Sequence, residues 1–475
     1  MLAVYDTATG AIRPFASRVP GQVAAYVCGI TPYAEAHLGH ARPAVVWDVI
    51  TRHLQHRGYR VTLVVNITDV DDRLIERAAA AGVPVAALAE KNAARYLADM
   101  RRLGVEDPTY LSRATENLEP IVTLIERLLA RGAAYQAGGD VYMRVRSIPD
   151  YGALSHRRLD DLLAGVRITP NPHKADPLDF ALWKGERPGE PSWPAPFGRG
   201  RPGWHIECSA MAWRYLGSWV DLHGGGVDLV FPHHENERVQ TRAALDPQEV
   251  PGVGYWVHNG MVTTSGVKMS KSLGNGAALS ELIQRHGAAA VRGYLLSVHY
   301  RSPLEYSEAG ILEFARGLDR VARLWDAVED APPAAEPIAG ELGETLSRFP
   351  TRLDEALDAD FNTAAALGHL FDMVRAANTL IADGSHAAAG LARRNLLVAR
   401  GALGLPLAGG SRAVAPATAV SRPPADVATL VDERSTARAA GDFARADALR
   451  RAIHAAGWVV EDRREGPVLR PRSEA

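Results

Sequence analysis

The sequence predicts an α/β parallel-sheet domain that carries an insertion, followed by a helical bundle and a small C-terminal α+β domain. Three observations support that architecture. Gln22-Val-Ala-Ala-Tyr-Val27 and Tyr59 to Thr68 are apolar runs separated by a segment of helical spacing, the strand–helix–strand order of a parallel sheet. Apolar residues then recur every three to four positions through most of Ala309 to Leu403. After them, 404–425 is rich in proline and paired glycine and reads as a linker.

Taken in order, the first strand leads into Cys28-Gly-Ile-Thr-Pro-Tyr-Ala-Glu-Ala-His-Leu-Gly-His-Ala-Arg42, and Val46, Val49, Ile50 and Leu54 continue this stretch at helical spacing. A strand, a glycine turn and a helix N-terminus make an anion site, because the first backbone N–H groups of a helix lack intrahelical partners. Gly39 has no Cβ and admits close approach of a ligand to the backbone there. The second strand ends at Asp69-Val-Asp-Asp72, and 73–132 reads as helical. Gly138 to Val145 is strand-like, whereas Thr169 to Lys174 and Gly185 to Gly203 read as loops. The insertion is therefore expected at about 80–200, within a sheet domain spanning 1–308 whose nucleotide-loop region covers about 260–308.

The second half of that domain resumes with a helix start at Trp204-His-Ile-Glu-Cys-Ser-Ala-Met211 and continues through Val220 to Phe231. The bundle spans 309–403, with Asp360 or Asn362 capping the helix that opens at Thr363. Beyond the 404–425 linker, 426–475 is read as helices Asp426 to Ala440 and Phe443 to Ala456 and a strand at Trp458-Val-Val.

A chain of 475 residues exceeds one core, and 47% apolar with 23% charged residues is ordinary globular composition. The start, Met1-Leu-Ala-Val-Tyr-Asp, lacks a basic n-region, and no apolar run approaches the roughly 18 residues of a membrane span, so a cytoplasmic location and no membrane partner are expected. A net charge of −2 neither favours nor excludes nucleic acid, since a local basic face suffices. Two cysteines 180 positions apart read as metal ligands or inert thiols rather than a disulfide.

Three constellations offer chemistry. His37 and His40 flank Gly39 at the first turn. Lys268-Met-Ser-Lys-Ser-Leu-Gly-Asn275 supplies two mobile cations three residues apart and two hydroxyls, a set suited to polyphosphate. Cys208 and the string His223-Gly-Gly-Gly-Val-Asp-Leu-Val-Phe-Pro-His-His-Glu-Asn-Glu237 contain thiol, imidazole and carboxylate, all suitable zinc ligands. Each of these residues alone also fits an ordinary buried or surface role.

His37-Leu-Gly-His40 with Lys268-Met-Ser-Lys-Ser272 resembles the two nucleotide signatures of class I aminoacyl-tRNA synthetases, and with the third constellation the chain resembles the cysteinyl-tRNA synthetase family. The resemblance extends through Asn66 to Asp72, Asp176 to Lys184, His299 to Pro303, Asp358 to Thr363 and Gly441 to Asp447. It implies a Rossmann-type catalytic domain and a cysteine–tRNA ligase that forms cysteinyl adenylate from cysteine and ATP and passes it to tRNA(Cys). It further implies ATP binding at Thr31, His37, Gly39, His40, Lys268, Ser270 and Lys271, with His37, His40, Lys268 and Lys271 catalytic. One zinc ion per chain would sit on Cys28, Cys208, His233 and Glu237, and magnesium would accompany ATP. Gly29, Thr68, Trp204 and Asp228 would form the cysteine pocket, although Trp204 equally fits a core position. The 426–475 unit would read the anticodon through Arg434, Arg438, Arg445, Arg450 and Arg451, which equally fit a solvated helix face. A monomer is expected.

Pro32 stands where the family usually has Val, and Cys28 to Tyr33 looks like the related ligase of the mycothiol pathway, which joins cysteine to an amino sugar. That relative has Gln at the position of His223, lacks the acid of Glu237 and resembles the family only in its front part, so it is the second reading.

Overall fold

The computed structural model describes residues 1–158, 171–249, 251–269, 278–332, 334, 337–405, 425–439, 442–456, 458–463 and 466–471. They form two compact units, Met1–Gly410 and Ser411–Ala475. The first unit is organised on five parallel strands: β3 (Gln22–Ile30), β4 (Arg60–Ile67), β5 (Tyr110–Arg113), β10 (Trp219–Gly226) and β11 (Gly252–Asn259). Their spatial order is β11-β10-β3-β4-β5. The strand order reverses between β3 and β10, and a doubly wound sheet binds ligands in the crevice at the C-terminal ends of the strands flanking such a switch point.

Helix α1 (Leu38–His56) returns over the sheet from β3, burying Trp47, Ile50 and Leu54 against Val23, Ala25 and Leu63. Helices α2 (Asp72–Ala81) and α3 (Val85–Arg102) follow β4. The helical reading of 73–132 missed β5, a strand of only four residues with too few alternations to register. Because β5 pairs with β4, the main sheet continues to Arg113, beyond the expected start of the insertion at about 80. The inserted part holds its own antiparallel sheet, ordered β6 (Ala134–Ala137), β7 (Asp140–Met143), β8 (Phe180–Gly185) and β9 (Gly200–Pro202). The last of these strands lies in the stretch read as loop. An N-terminal hairpin, β1 (Ala3–Asp6) with β2 (Ala11–Pro14), also lay outside the expected elements.

After β11 the chain forms two short strands, β12 (Val262–Thr264) and β13 (Val267–Lys268), and β12 also pairs with β14 (Leu304–Glu305). Four long helices then run Glu308–Val328, Glu341–Asp358, Thr363–Ala382 and His386–Leu403. Asn362, rather than Asp360, caps the third, accepting from the Ala365 N–H at 3.0 Å. These helices share one apolar core with Ile30, Leu38, Val45 and Val49 of the sheet domain, so the bundle expected at 309–403 packs as an extension of it.

The second unit contains helices Ala425–Ala439 and Phe443–Ala455 and an antiparallel pair, Trp458–Arg463 with Gly466–Pro471, around Val427, Val431, Ile453 and Val460. The expected linker falls largely outside the described residues.

Candidate active site and metal centre

The C-terminal ends of β3 and β10 create the site. The β3–β4 register shifts between Val27 and Ile30, a bulge that leaves Cys28 and Gly29 outside the regular ladder. Gly29 donates its N–H to Asn66 Oδ1 at 2.8 Å, and a Cβ on Gly29 would lie 1.8 Å from the Asn66 carbonyl oxygen. Only glycine fits that approach. Asn66 Nδ2 in turn donates to Thr68 Oγ1 at 3.2 Å, and Thr68 is buried.

Four donors converge beneath this bulge. Cys208 comes from the helix Trp204–Leu216, His233 from the short segment after β10, and Glu237 from the first turn of the helix Glu235–Ala244. One ligand atom from each of Cys28, Cys208, His233 and Glu237 lies within 4.8 Å of every other, and all four residues are buried. Cys28 Sγ lies 3.3 Å from Glu237 Oε1, and His233 Nε2 lies 3.0 Å from the same oxygen. Glu237 Oε2 lies 3.3 Å from His223 Nε2, and although both it and His233 Nε2 have a charged neighbour at ion-pair distance, neither meets hydrogen-bond geometry among the described residues. Buried polar atoms without well-formed hydrogen bonds are costly, and two sulfurs, an imidazole and a carboxylate are the donor types that zinc takes, so the residues fit that metal.

The electrostatics differ from ligand to ligand, and Cys208 is the one they favour as the deprotonated donor. Burial opposes the Cys208 thiolate, but hydrogen bonding from Cys28 and the His233 imidazolium outweigh it and bring the thiol down to about 6. Burial and the adjoining Cys208 push the Cys28 thiol up. Burial disfavours the charged form of His233, yet Glu237 and Cys208 raise it to about 10. His205 Nδ1 lies 2.9 Å from His233 Nδ1, fixing the ring so that Nε2 faces the sulfurs.

A second donor set shares two members with the first: Cys28, His223, His234 and Glu237 also lie within 4.8 Å of one another. His234 Nε2 is 3.3 Å from Cys28 Sγ, and its Nδ1 is 2.7 Å from His258 Nε2. The sequence reading gave no site role to His205, His234 or His258. The string His223 to Glu237 already contained the histidines of the second set, whereas His258 is brought alongside by its strand, where it pairs in register with Gly225.

Above the cluster lies a cavity of about 540 Å³. Its walls include Cys28, Gly29, Thr31, His37, Gly39 and His40, and across from them Trp204, Asp228 and the β11–β12 segment from Asn259 to Val262. Cys28 therefore belongs to both cluster and cavity. Trp204 is 39% exposed and stacks 4.4 Å from the His233 ring, which corrects the alternative that it is core. Thr68 and Pro32 do not line the cavity. Pro32 is buried, and its carbonyl accepts from Asn92 Nδ2 at 2.9 Å. Asn259 is an addition at this wall: its Oδ1 is buried without a hydrogen bond among the described residues.

The paired histidines are part of the helix start itself. His37 is the N-cap of α1 and accepts through Nδ1 from the Gly39 N–H at 3.0 Å, while His40 Nδ1 accepts from the His37 N–H at 3.3 Å. With both Nδ1 atoms accepting, a neutral ring carries its proton on Nε2, leaving an N–H donor on each. Backbone Lys268 lies in β13 and Met269 lines the cavity, whereas the Lys268 side chain, Ser270 and Lys271 lie outside the described residues.

In the second unit Arg445, Arg450 and Arg451 are exposed, and the Arg438 side chain lies outside the described residues. Arg434 is 3% exposed, so its guanidinium lies inside the unit rather than on a face open to RNA.

Residues 14–316 match the family model of the class I (C) tRNA synthetase catalytic domain, 352–408 the DALR domain, and 422–467 the cysteinyl-tRNA ligase anticodon binding domain. The chain is 46% identical over 476 residues to the cysteine–tRNA ligase of Geobacter sulfurreducens, covering 98% of each. It is 46% identical over 467 residues to that of Halorhodospira halophila, again covering 98% of each. Among solved structures, methionyl-tRNA synthetase of Mycobacterium tuberculosis in complex with methionyl-adenylate superposes with a TM-score of 0.58 at 19% identity, over 80% of this chain and 89% of that one, which shows a shared fold.

Proposed function

The chain belongs to the cysteine–tRNA ligase family of class I synthetases, and on that premise we propose that Cys28, Cys208, His233 and Glu237 hold one zinc ion that selects cysteine by its thiol. The enzyme joins cysteine to tRNA in an ATP-dependent reaction. The amino-sugar ligase reading is not favoured, because the matches extend through the anticodon-binding unit and cover nearly the whole chain.

The observation that carries the zinc proposal is the convergence of four buried donors, of which Cys28 also lines the cavity. A zinc ion held there would favour a thiolate over the harder, far less acidic hydroxyl of serine. The rest of the chemistry falls to the chain itself. Gly29, Trp204 and Asp228 line the cavity beside the cluster and would seat the amino acid, with Thr68 acting through Asn66 to fix Gly29. His37 and His40, through their Nε2–H groups, would meet ATP phosphate oxygens at the helix N-terminus, with Thr31 and Gly39 in the same wall. Lys268, Ser270 and Lys271 would balance the charge that grows on departing pyrophosphate, with magnesium accompanying the nucleotide. The cysteinyl group would then pass to the 2′-hydroxyl at the 3′ end of tRNA(Cys). We further propose a monomer in the cytoplasm; no helix among the described residues is long and apolar enough to cross a membrane.

A charging assay tests the reading. Purified protein with cysteine and ATP is expected to acylate tRNA(Cys) and to leave the amino sugar untouched; the reverse pattern restores the second reading. Elemental analysis is expected to find zinc, and active protein devoid of zinc would end the thiol-selection proposal.

A further inference from the structure

Arg42 lies two residues beyond the second signature histidine and is 0% exposed. Its guanidinium meets backbone carbonyls of two segments far away in sequence: Nη1 donates to Gly260 O at 2.9 Å and Met261 O at 3.1 Å, and Nη2 donates to His299 O at 3.2 Å. Among the described residues no carboxylate forms an ion pair with it. Burial brings its pKa down to about 10. A fully buried cation compensated by carbonyls alone is an expensive way to fill space, since apolar side chains of that volume pack at no such cost.

The carbonyls it selects lie at one junction. Gly260 and Met261 join the end of β11 to β12, and β12 pairs with β13, placing Thr263 opposite Lys268 and Val262 O opposite the Met269 N–H at 2.9 Å. Gly260, Met261, Val262 and Met269 line the same cavity as His37, Gly39 and His40. Gly260 also donates its N–H to Tyr300 O at 2.8 Å, and a Cβ there would lie 2.3 Å from Ser302 O, so the 299–302 segment is pressed against this turn.

That segment is anchored from its far side. Asp360, 2% exposed and at φ +57°, accepts from Tyr300 Oη at 2.8 Å, Arg301 Nε at 2.7 Å and the Tyr5 N–H at 2.9 Å. A non-glycine residue in the left-handed region carries backbone strain, held here by three bonds from two distant parts of the chain. The His299 to Pro303 and Asp358 to Thr363 motifs, which the zinc and nucleotide roles leave unexplained, thus meet at one junction.

We propose that Arg42 is a positioning residue for adenylate formation, setting the distance between the helix that carries His37 and His40 and the strands that carry Lys268. It touches no reacting atom. Its role rests on the assignment of His37, His40 and Lys268 to the nucleotide site. Because charge stabilisation depends on placement to a fraction of an ångström, loosening this tie lowers the rate of the chemical step more than substrate binding.

The test is ATP–pyrophosphate exchange by the full chain, with kcat divided by the number of sites that give an adenylate burst. Arg42→Met is expected to lower kcat per active site roughly 10- to 100-fold while the cysteine KM stays within about twofold, and Arg42→Lys to recover part of the loss. A purely structural role lowers the melting temperature and the burst amplitude but leaves kcat per site unchanged, and that result overturns the proposal. Should Arg42→Met fail to fold, Arg42→Lys and Asp360→Asn carry the same comparison, and unchanged kcat per site in both is equally fatal. His40→Ala run beside them reads the nucleotide site itself. Full exchange activity in that variant overturns the site assignment, whereas loss there with wild-type kcat per site in the Arg42 variants overturns the positioning role alone.

Discussion

At the scale of single residues, the donor set separates binding of the amino acid from binding of the nucleotide. Cys208→Ser and Glu237→Gln each remove a donor from a site whose remaining members are buried and mutually polarised. Both variants are expected to lose zinc on elemental analysis and to lower cysteine-dependent pyrophosphate exchange by at least about 100-fold, with ATP binding by calorimetry unchanged. Retained exchange in a zinc-free variant would contradict the ligand assignment. Gly29→Ala acts by crowding instead: its Cβ would fall 1.8 Å from the Asn66 carbonyl oxygen, so the bulge must shift. The expected cost is about 1–3 kcal/mol in urea melts with a raised cysteine KM, and wild-type values for both would show that the bulge yields freely. The sequence could name Cys28, Cys208, His233 and Glu237 through a motif resemblance. It offered no sign of the supporting imidazoles, because His205, His234 and His258 gain their meaning from contacts made across helices and strands.

At the scale of elements, α1 is the post to which distant parts are tied. Besides Arg42, its Asp48 bonds Arg292, a fully buried arginine that also donates to the carbonyls of Leu103 and Leu403 at 3.0 and 2.8 Å. Arg292→Met leaves Asp48 with Arg52 as its remaining guanidinium partner and strands both carbonyls, so a loss of about 3–5 kcal/mol is expected in chemical denaturation. A loss below about 1 kcal/mol would mean the tie is dispensable. Further along, His53 Nε2 lies 2.9 Å from Asp358 Oδ1 and ties α1 to the end of the second bundle helix. Burial holds the His53 imidazole below its ordinary value despite the opposing pull of Asp358. An unfolded histidine gains its proton near pH ~6.5, where the folded one remains neutral. Stability therefore falls as pH drops from that value towards the folded one and levels off below it. His53→Gln is expected to flatten this part of the stability profile, measured as the difference between wild type and variant; identical slopes would show that His53 titrates normally. None of these ties was legible in the sequence. Helical spacing located α1, but a buried Arg, Asp or His on a helix looks the same as a solvated one until its partners are known.

For the whole molecule, periodicity found the long helices and the two strands that bracket α1; it missed β5, β9 and the N-terminal hairpin, all four residues or fewer, and also β8 and the eight-residue β11, whose Gly252 and Gly254 interrupt the apolar run. The strand order was also beyond its reach, although that order places Cys28 beside His223 at the switch point. The boundary near 410 was signalled by composition, since proline and glycine give a segment little to bury. The two units keep separate apolar cores: Val427, Val431, Ile453 and Val460 belong to a cluster of their own, and the nucleotide wall, zinc ligands and α1 ties all lie within 1–410. Removing 411–475 should therefore leave cysteine-dependent pyrophosphate exchange within about twofold of the full chain, since no residue of the catalytic cavity is lost. Aminoacylation of tRNA(Cys) should fall much further, through a raised KM for tRNA, because the truncated chain lacks the part that matches the anticodon binding domain and with it the exposed Arg445, Arg450 and Arg451. Replacing those three arginines together in the full chain separates charge from bulk. If they bind phosphate or stack on bases, the triple variant reproduces most of the loss in charging and weakens the salt dependence of tRNA binding, whereas unaltered charging would assign recognition to other residues of the unit.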